Sequence, residues 1–145
     1  RPSTTLLISG VDPSPSVREL ARRDSGITVS GWVKDIRDSY ADATLFVAPM
    51  QIGTGLQNKL LEAMAMRIPC ITSALANNAV GAVPGESILV GNTPEQYAAH
   101  ILHLLDNEQD RERIAAHGHR FIQEHFDWDR AADALNVLIE APPRQ

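Results

Sequence analysis

Two glycines and a glutamate between residues 53 and 62 have the types and spacing of a site for an anion and hydroxyl groups. Gly53 and Gly55 directly precede a stretch that predicts a helix from Leu56 to Met66. The first four N–H groups of a helix lack internal partners, and the helix dipole adds about half a positive charge there. Because glycines let a ligand approach the backbone closely, this helix end suits a phosphate.

Glu62 adds a hydroxyl acceptor to the same predicted helix. Side chains tilt toward the amino end of a helix, so Glu62, about 9 Å of axial rise beyond Leu56, points back toward the ligand. Pyrophosphate on the amides and ribose on Glu62 together describe a nucleotide. Spacing alone favours a simpler interpretation, in which the glycines form a plain loop and Glu62 is a solvated partner of Lys59.

The rest of the chain predicts one α/β domain that positions this helix. Its 145 residues with 43% apolar composition suffice for a core. Apolar β-rich runs alternate with helical patterns, which predicts a parallel sheet covered by helices. The predicted strands are TTLLIS, ITVS, TLFVAP, CITS and SILV, and the first two helices cover SPSVRELARR and DIRDSYADA.

The last third of the chain predicts three consecutive helices. Thr93 as N-cap and Pro94 open the first, which runs to about Asp106. The second covers roughly residues 110–125, and the third begins at Asp127. Between CITS and SILV, the stretch from Ser73 to Ala76 and Gly81 are interpreted as a turn or as a crevice loop.

Composition limits the kinds of partner. A net charge of -5 argues against a general nucleic-acid or anionic-membrane surface, although a local basic pocket for phosphate remains open. The single Cys70 excludes an internal disulfide and suits a reducing compartment. There is no apolar run of membrane-spanning length, so we expect a cytoplasmic protein, with peripheral membrane association left open through a further domain.

Several motifs in order carry a family likeness. The segment GWVKDIRDSYADATLFVAPMQIGTGLQNKLLEAMAMRIPCITS resembles the donor-binding half of retaining glycosyltransferases of the GT-B fold, the large family 4 group. HFDWDRAADALNVLI is similar to the closing helices of that group. The resemblance covers nearly the whole chain. It implies an α/β, Rossmann-like three-layer domain with a parallel sheet and C-terminal helices, one half of a GT-B fold.

The resemblance assigns roles to individual residues. Glu62 matches the second glutamate of the Glu, seven residues, Glu motif, which is expected to hold the ribose hydroxyls. Val33 and Lys34 lie in the segment that matches the loop where the base sits. Gly53 and Thr54 fall where the family contacts the donor sugar. The pyrophosphate would be held around Gly55, Leu56, Gln57, Asn58 and Lys59.

Three departures from the family pattern affect these roles. Thr54 stands in place of the first glutamate, as in a branch of the family with the pattern IGxGxxNK. Arg67 stands where glycine is usual, and a left-handed conformation there would cost roughly 1 kcal/mol. The acceptor-binding half and the opening donor-domain strand, with its phosphate-binding Arg and Lys, are missing. We therefore expect residues 1–145 to be the C-terminal nucleotide-sugar-binding domain of a longer protein.

The function implied is that of the donor domain of a glycosyltransferase that moves a sugar from a nucleoside-diphosphate sugar to an acceptor with retention, as in polysaccharide biosynthesis. By itself the chain is expected to be inactive, and no catalytic residue is assigned. No cofactor, metal or nucleic acid is expected. The base, the sugar and the acceptor, whether glycan, lipid carrier or small molecule, stay open. Alternatives are a non-catalytic nucleotide-binding module and a GT-B sugar epimerase.

Other residues that suggest metal or redox chemistry have simpler interpretations. The DWD at residues 127–129 fits an N-cap and a first-turn carboxylate better than a metal ligand pair. His100 and His103 are predicted to face solvent, and His117 and His119 to be structural. The first strand is followed by SGVDPSPS, which has one glycine and does not form a nicotinamide-binding pattern.

Overall fold

The structure, a computed structural model, describes residues 4–52 and 55–140. Its strands are β1 (Leu6–Ser9), β2 (Ile27–Gly31), β3 (Phe46–Ala48), β4 (Cys70–Thr72) and β5 (Leu89–Val90). Its helices are α1 (Pro15–Arg23), α2 (Ile36–Ala41), α3 (Asn58–Ala65), α4 (Ala74–Val80), α5 (Pro94–Asp106), α6 (Glu108–His125) and α7 (Trp128–Glu140).

The chain divides into two compact units, of which the first ends at Ala43. In this unit β1 and β2 pair in parallel, and α1 contacts β2. Helix α1 begins where the Oγ of Ser14 accepts from the N–H of Val17 at 3.4 Å, with Pro15 in the first turn. This N-cap and proline follow the common preference at helix starts.

The second unit begins at Thr44 and contains a three-stranded parallel sheet in the order β3-β4-β5. All three residues of the central strand, β4, are fully buried. Ile71 of β4 packs in a cluster with Leu104 and Ile114, which α5 and α6 supply. Since α3, α5 and α6 all contact β4, the core of this unit is built around that strand.

The predicted fold class is confirmed, because the chain is α/β and Rossmann-like with parallel strands and C-terminal helices. Every predicted strand is present, and Thr93 caps α5 by accepting from the N–H of Gln96 at 3.3 Å. One difference is that the described strands form two parallel sheets, where one was predicted.

Helix α4 occupies a stretch for which the sequence predicts a turn or a loop, so that prediction is wrong. Its start has a cap, since the Oγ of Ser73 accepts from the N–H of Ala76 at 3.2 Å. Its end is marked by Gly81 in the left-handed conformation, with φ 76°. A serine and a glycine at helix-length spacing are a regular start and stop pair, so the signal was present in the sequence.

Helix α3 ends in a Schellman motif that uses an arginine in place of the usual glycine. The N–H of Arg67 donates to the carbonyl of Met64 at 3.0 Å, and the N–H of Ile68 donates to the carbonyl of Ala63 at 3.0 Å. Arg67 has φ 60°, so the left-handed conformation considered for this position is confirmed. The motif turns the chain directly from α3 toward β4.

Replacing Arg67 by glycine should therefore raise the free energy of unfolding by up to about 1 kcal/mol, because glycine adopts a left-handed conformation without a steric penalty. The measurement is the denaturant midpoint at unchanged m-value. Ala99→Gly is the matched control, since Ala99 is exposed within α5, and this change should lower stability by about 1 kcal/mol. A lower midpoint for both variants would contradict the expectation.

Candidate functional site

The amino end of α3 is the part of the predicted site that the structure describes in most detail. The helix begins at Asn58 with Gln57 as its N-cap, so the predicted start at Leu56 is wrong. Gly55 has φ 82° and Gln57 has φ -97° and ψ 88°, and neither conformation is helical. Intrahelical bonding begins with Leu60, whose N–H donates to the carbonyl of Gln57 at 2.9 Å.

This helix start differs in its capping from those of five other helices. Helices α1, α2, α4, α5 and α6 each begin with a side chain that accepts from an N–H of the first turn, and these residues are Ser14, Asp35, Ser73, Thr93 and Asn107. Gln57 makes no such bond, and its side-chain amide donates to the carbonyl of Gly55 at 3.1 Å. The N-cap side chain of α3 thus accepts no hydrogen bond from the first turn, and a helix start of this kind is a place where an anion can bind.

The two faces of α3 differ in burial. Glu62 is exposed, and one turn earlier so is Asn58 on the same face. Leu56 precedes the helix and is 45% exposed. The buried face consists of Leu60, Ala63 and Met64.

Glu62 lies closer to the helix end than predicted. Because α3 starts at Asn58, the axial rise between that residue and Glu62 is about 6 Å. In the first turn, the ammonium of Lys59 lies 3.4 Å from the Sδ of Met50, which follows β3. The amide end of α3 therefore lies at the carboxyl end of β3, the edge where open α/β sheets bind ligands.

The predicted base-contacting residues belong to the first unit, directly after β2. Val33 is half-buried and Lys34 is exposed. Asp35, which follows them, accepts from the backbone N–H of Arg37 at 3.0 Å and from its guanidinium at 2.6 to 3.0 Å. This pairing lowers the pKa of the Asp35 carboxyl to about 2, so the N-cap of α2 is ionised at neutral pH.

The residues predicted to contact the donor sugar, Gly53 and Thr54, lie outside the described residues. Within residues 4–52 and 55–140, no group of three His, Cys, Asp or Glu side chains could hold a metal ion. Of the DWD residues, Asp127 directly precedes α7 and Asp129 lies in its first turn, where the sequence placed them. No helix in the described part of the chain has the length and apolarity to cross a membrane.

The histidines mostly bind backbone carbonyls. The Nδ1 of His119 lies 2.8 Å from the carbonyl oxygen of Ala65, in the last turn of α3, which agrees with the structural role predicted for it. His100 is half-buried with its Nε2 3.0 Å from the carbonyl oxygen of Val90, so its predicted solvent-facing position is wrong. His103 is exposed and pairs with Asp110 at 2.8 Å.

The chain is similar in sequence to two curated proteins. Spore coat protein SA of Bacillus subtilis (strain 168) is 32% identical over 110 residues, which cover 74% of this chain and 29% of that protein. An uncharacterized 44.6 kDa protein in the cps region of Klebsiella pneumoniae is 27% identical over 94 residues, which cover 65% of this chain and 24% of that protein. The chain thus spans less than a third of the length of either relative.

Solved structures share the fold at lower sequence identity. Anabaena Alr3699/HepE in complex with UDP matches with a TM-score of 0.80 at 18% identity, over 94% of this chain and 42% of that one. Sucrose-phosphate synthase from Thermosynechococcus elongatus matches with a TM-score of 0.78 at 22% identity, over 93% of this chain and 37% of that one. The C-terminal domain of the group 1 glycosyl transferase LpcC from Francisella tularensis matches with a TM-score of 0.68 at 19% identity, over 77% of this chain and 60% of that one.

The family assignment rests on a match to most of the chain. The family model described as glycosyl transferases group 1 matches residues 1–107, which include every predicted site residue. The structural matches agree with the predicted half of a GT-B fold, and one of them is itself an isolated C-terminal domain. The chain belongs to the glycosyl transferases group 1 family.

Proposed function

We propose that this chain is the nucleotide-sugar-binding part of a glycosyltransferase that transfers a hexosyl group from a nucleoside-diphosphate sugar to an acceptor with retention of configuration. The observation that carries the proposal is the amide end of α3, where the N-cap residue Gln57 makes no capping bond and which lies at the carboxyl edge of the sheet. Family membership supports sugar transfer. Anabaena HepE, which shares this fold, forms complexes with UDP and with UDP-glucose, and this supports a nucleotide-sugar ligand.

In this proposal the pyrophosphate binds at the start of α3. The first-turn amides and the ammonium of Lys59 supply positive charge, and a bound phosphate would accept the hydrogen bonds that a cap side chain accepts in other helices. Among the described residues, no heavy atom beyond the chain neighbours of Gly55 lies within 4 Å of the point where its Cβ would stand. The ligand can therefore approach the backbone there, and a side chain at Gly55 would enter that space.

The remaining parts of the donor are assigned by the family pattern. The ribose hydroxyls bind Glu62, whose carboxylate can accept from both of them. The donor sugar lies toward Gly53 and Thr54, and the base lies toward Val33 and Lys34. The acceptor site, for a glycan, a lipid carrier or a small molecule, belongs to a part of a longer protein beyond these residues. Neither a cofactor nor a metal ion takes part.

The role of Glu62 can be tested by Glu62→Ala. The dissociation constant for UDP, measured by calorimetry, should rise by at least about 10-fold, because each hydrogen bond to a charged acceptor is worth roughly 1.5 to 3 kcal/mol. The thermal midpoint without ligand should stay the same, since Glu62 is exposed. Glu112→Ala removes an exposed glutamate of α6 and serves as the control. Equal UDP affinity in Glu62→Ala and the wild type would refute the ribose assignment.

Binding should not need a divalent cation, because helix amides and their dipole are proposed to hold the pyrophosphate. UDP titrated in excess EDTA and in excess Mg²⁺ should give dissociation constants within about twofold of each other. A metal ion that contributed about 1.4 kcal/mol to the binding free energy would instead change the dissociation constant by a factor of 10. Loss of UDP binding in EDTA would show that a metal bridge holds the phosphates.

The chain alone should bind a nucleoside diphosphate and transfer no sugar. Ligand at 100 times its dissociation constant should stabilise the fold by about 2.7 kcal/mol, which a thermal shift with UDP, GDP and ADP would detect. Catalysis also requires an oriented acceptor, and orientation can supply roughly 7 to 11 kcal/mol of a barrier. Incubation with labelled sugar donors and mixed acceptors should give no product above background. Robust transfer by residues 1–145 would contradict the division of the site between two domains.

A further inference from the structure

The second unit contains a pocket between α6 and the turn segment that leads into β5, residues 81–87. Its volume is about 260 Å³, which is just below the roughly 300 to 1,000 Å³ of pockets that hold drug-sized ligands. The pocket therefore has room for a small molecule with one substituted ring.

This pocket lies at the edge of the sheet opposite to the amino end of α3. The turn segment precedes β5, which is parallel to β4, so it lies at the amino ends of the strands. The other wall is the carboxyl half of α6, where His119 binds the carbonyl of Ala65 in the last turn of α3. The pocket is thus separate from the amide end of α3, where we place the pyrophosphate.

The turn segment is held in place by hydrogen bonds. The Oγ of Ser87 accepts from the N–H of Val83 at 2.8 Å, and the N–H of Gly85 donates to the carbonyl of Ile88 at 2.8 Å. The guanidinium of Arg113, in α6, donates to the carbonyl of Gly85 at 3.3 Å and ties the segment to the helix. Because this wall is already ordered, a ligand that fills the pocket needs to immobilise little of the chain.

The wall formed by α6 combines an apolar surface with polar side chains. Four of its residues are spaced three or four apart and therefore share one face of the helix, and these are His117, Arg120, Phe121 and Glu124. Phe121 is buried, and its ring stacks on the ring of His125 with the centroids 4.3 Å apart. The two rings provide a flat surface within the polar rim.

The charges around the pocket nearly cancel. Its carboxylates belong to Glu86 and Glu124, its guanidinium to Arg120, and its imidazoles to His117 and His125. The carboxylates repel an anion and the guanidinium repels a cation, so the pocket suits an uncharged ligand best. Carboxylates accept hydrogen bonds, a guanidinium donates them, and a neutral imidazole does both. This mixture matches a ligand with several hydroxyl groups, each of which can donate and accept.

One polar atom of the pocket residues is buried without a partner. The Nδ1 of His117 makes no hydrogen bond with any of the described residues. An oxygen of Glu86 lies 3.8 Å from this nitrogen, which is too far for a hydrogen bond. Because buried polar atoms are rarely left unpaired, the described residues do not complete the polar contacts here by themselves.

We propose that this pocket binds a sugar ring. A pyranose carries C–H groups on its faces and hydroxyls around its edge. One face can therefore cover the stacked rings of Phe121 and His125 while the hydroxyls bind Glu86 and Arg120. The pocket and the amino end of α3 lie at opposite edges of the sheet, so sugar binding in the pocket does not require the nucleotide site.

Nuclear magnetic resonance can locate the bound sugar. Glucose, galactose, mannose and N-acetylglucosamine are each titrated into the ¹⁵N-labelled chain, with inorganic phosphate and methylamine as charged controls. At least one sugar should shift the backbone amides of residues 81–87 and 117–125 in a saturable way, and saturating UDP should not abolish these shifts.

Two kinds of result would overturn the proposal. One is the absence of saturable shifts with all four sugars, or tighter binding of phosphate or methylamine at the same amides. The other is a set of sugar shifts that is confined to residues 55–62 or lost on addition of UDP, because the sugar would then occupy the donor site. If the chain binds no UDP but shows the sugar shifts at residues 81–87 and 117–125, only the proposed function fails.

Exposed residues of the rim test which side chains hold the sugar. Glu86→Ala and Arg120→Ala should each raise its dissociation constant at least about 10-fold, because each removes hydrogen bonds with a charged group. Glu112→Ala and Gln123→Ala change exposed residues of α6 outside the pocket and should bind it as the wild type does. All four variants should keep the wild-type thermal midpoint and UDP affinity, since the four residues are exposed. Wild-type sugar affinity in both Glu86→Ala and Arg120→Ala would refute this pocket as the binding site.

Discussion

The burial of β4 is the constraint on which the second unit depends. Cys70, Ile71 and Thr72 are all inaccessible to solvent, so each polar group of the strand needs a partner within the protein. The hydroxyl of Thr72 donates to the carbonyl of Ala48 at 2.9 Å. The backbone carbonyl of Thr72 accepts from the N–H of Gly91 at 2.9 Å. These bonds join β4 to the segments on both sides. Burial also raises the pKa of the Cys70 thiol, which keeps it neutral.

The amide end of α3 is positioned by contacts at the other end of the helix. Arg67 and the Schellman motif connect α3 to β4 through a few residues, so the buried strand fixes the carboxyl end of the helix. Helix α6 approaches closely at Gly118, where a Cβ would lie 2.8 Å from the carbonyl oxygen of Ser87 and 3.4 Å from the Cε of Met64. Next to it, His119 binds the carbonyl of Ala65. A side chain at Gly118 would therefore collide with the carbonyl of Ser87, whereas its distance to Met64 of α3 would be an ordinary van der Waals contact.

Local signals in the sequence predicted the elements better than their pairing. Apolar runs and caps such as Thr93 located strands and helices. The predicted start of α3 is too early, because the non-helical backbone conformations of Gly55 and Gln57 cannot be recognised from the spacing of apolar residues. The sequence predicts a single sheet, whereas the described strands form one sheet of two strands and another of three. Strand pairing depends on contacts between residues that are distant in the sequence, so the local patterns that located the strands do not determine which strands pair.

Recognition of an anionic ligand by an acidic chain requires that local charge outweigh net charge. The chain carries a net charge of -5, but at physiological ionic strength charges beyond about 8 Å in solvent are largely screened. The field at a phosphate is therefore set by the nearest groups, which in the proposed site are the first-turn amides of α3, the ammonium of Lys59 and the carboxylate of Glu62. Local pairing matters in the first unit as well, where the ionised carboxylate of Asp35 is compensated by the guanidinium of Arg37.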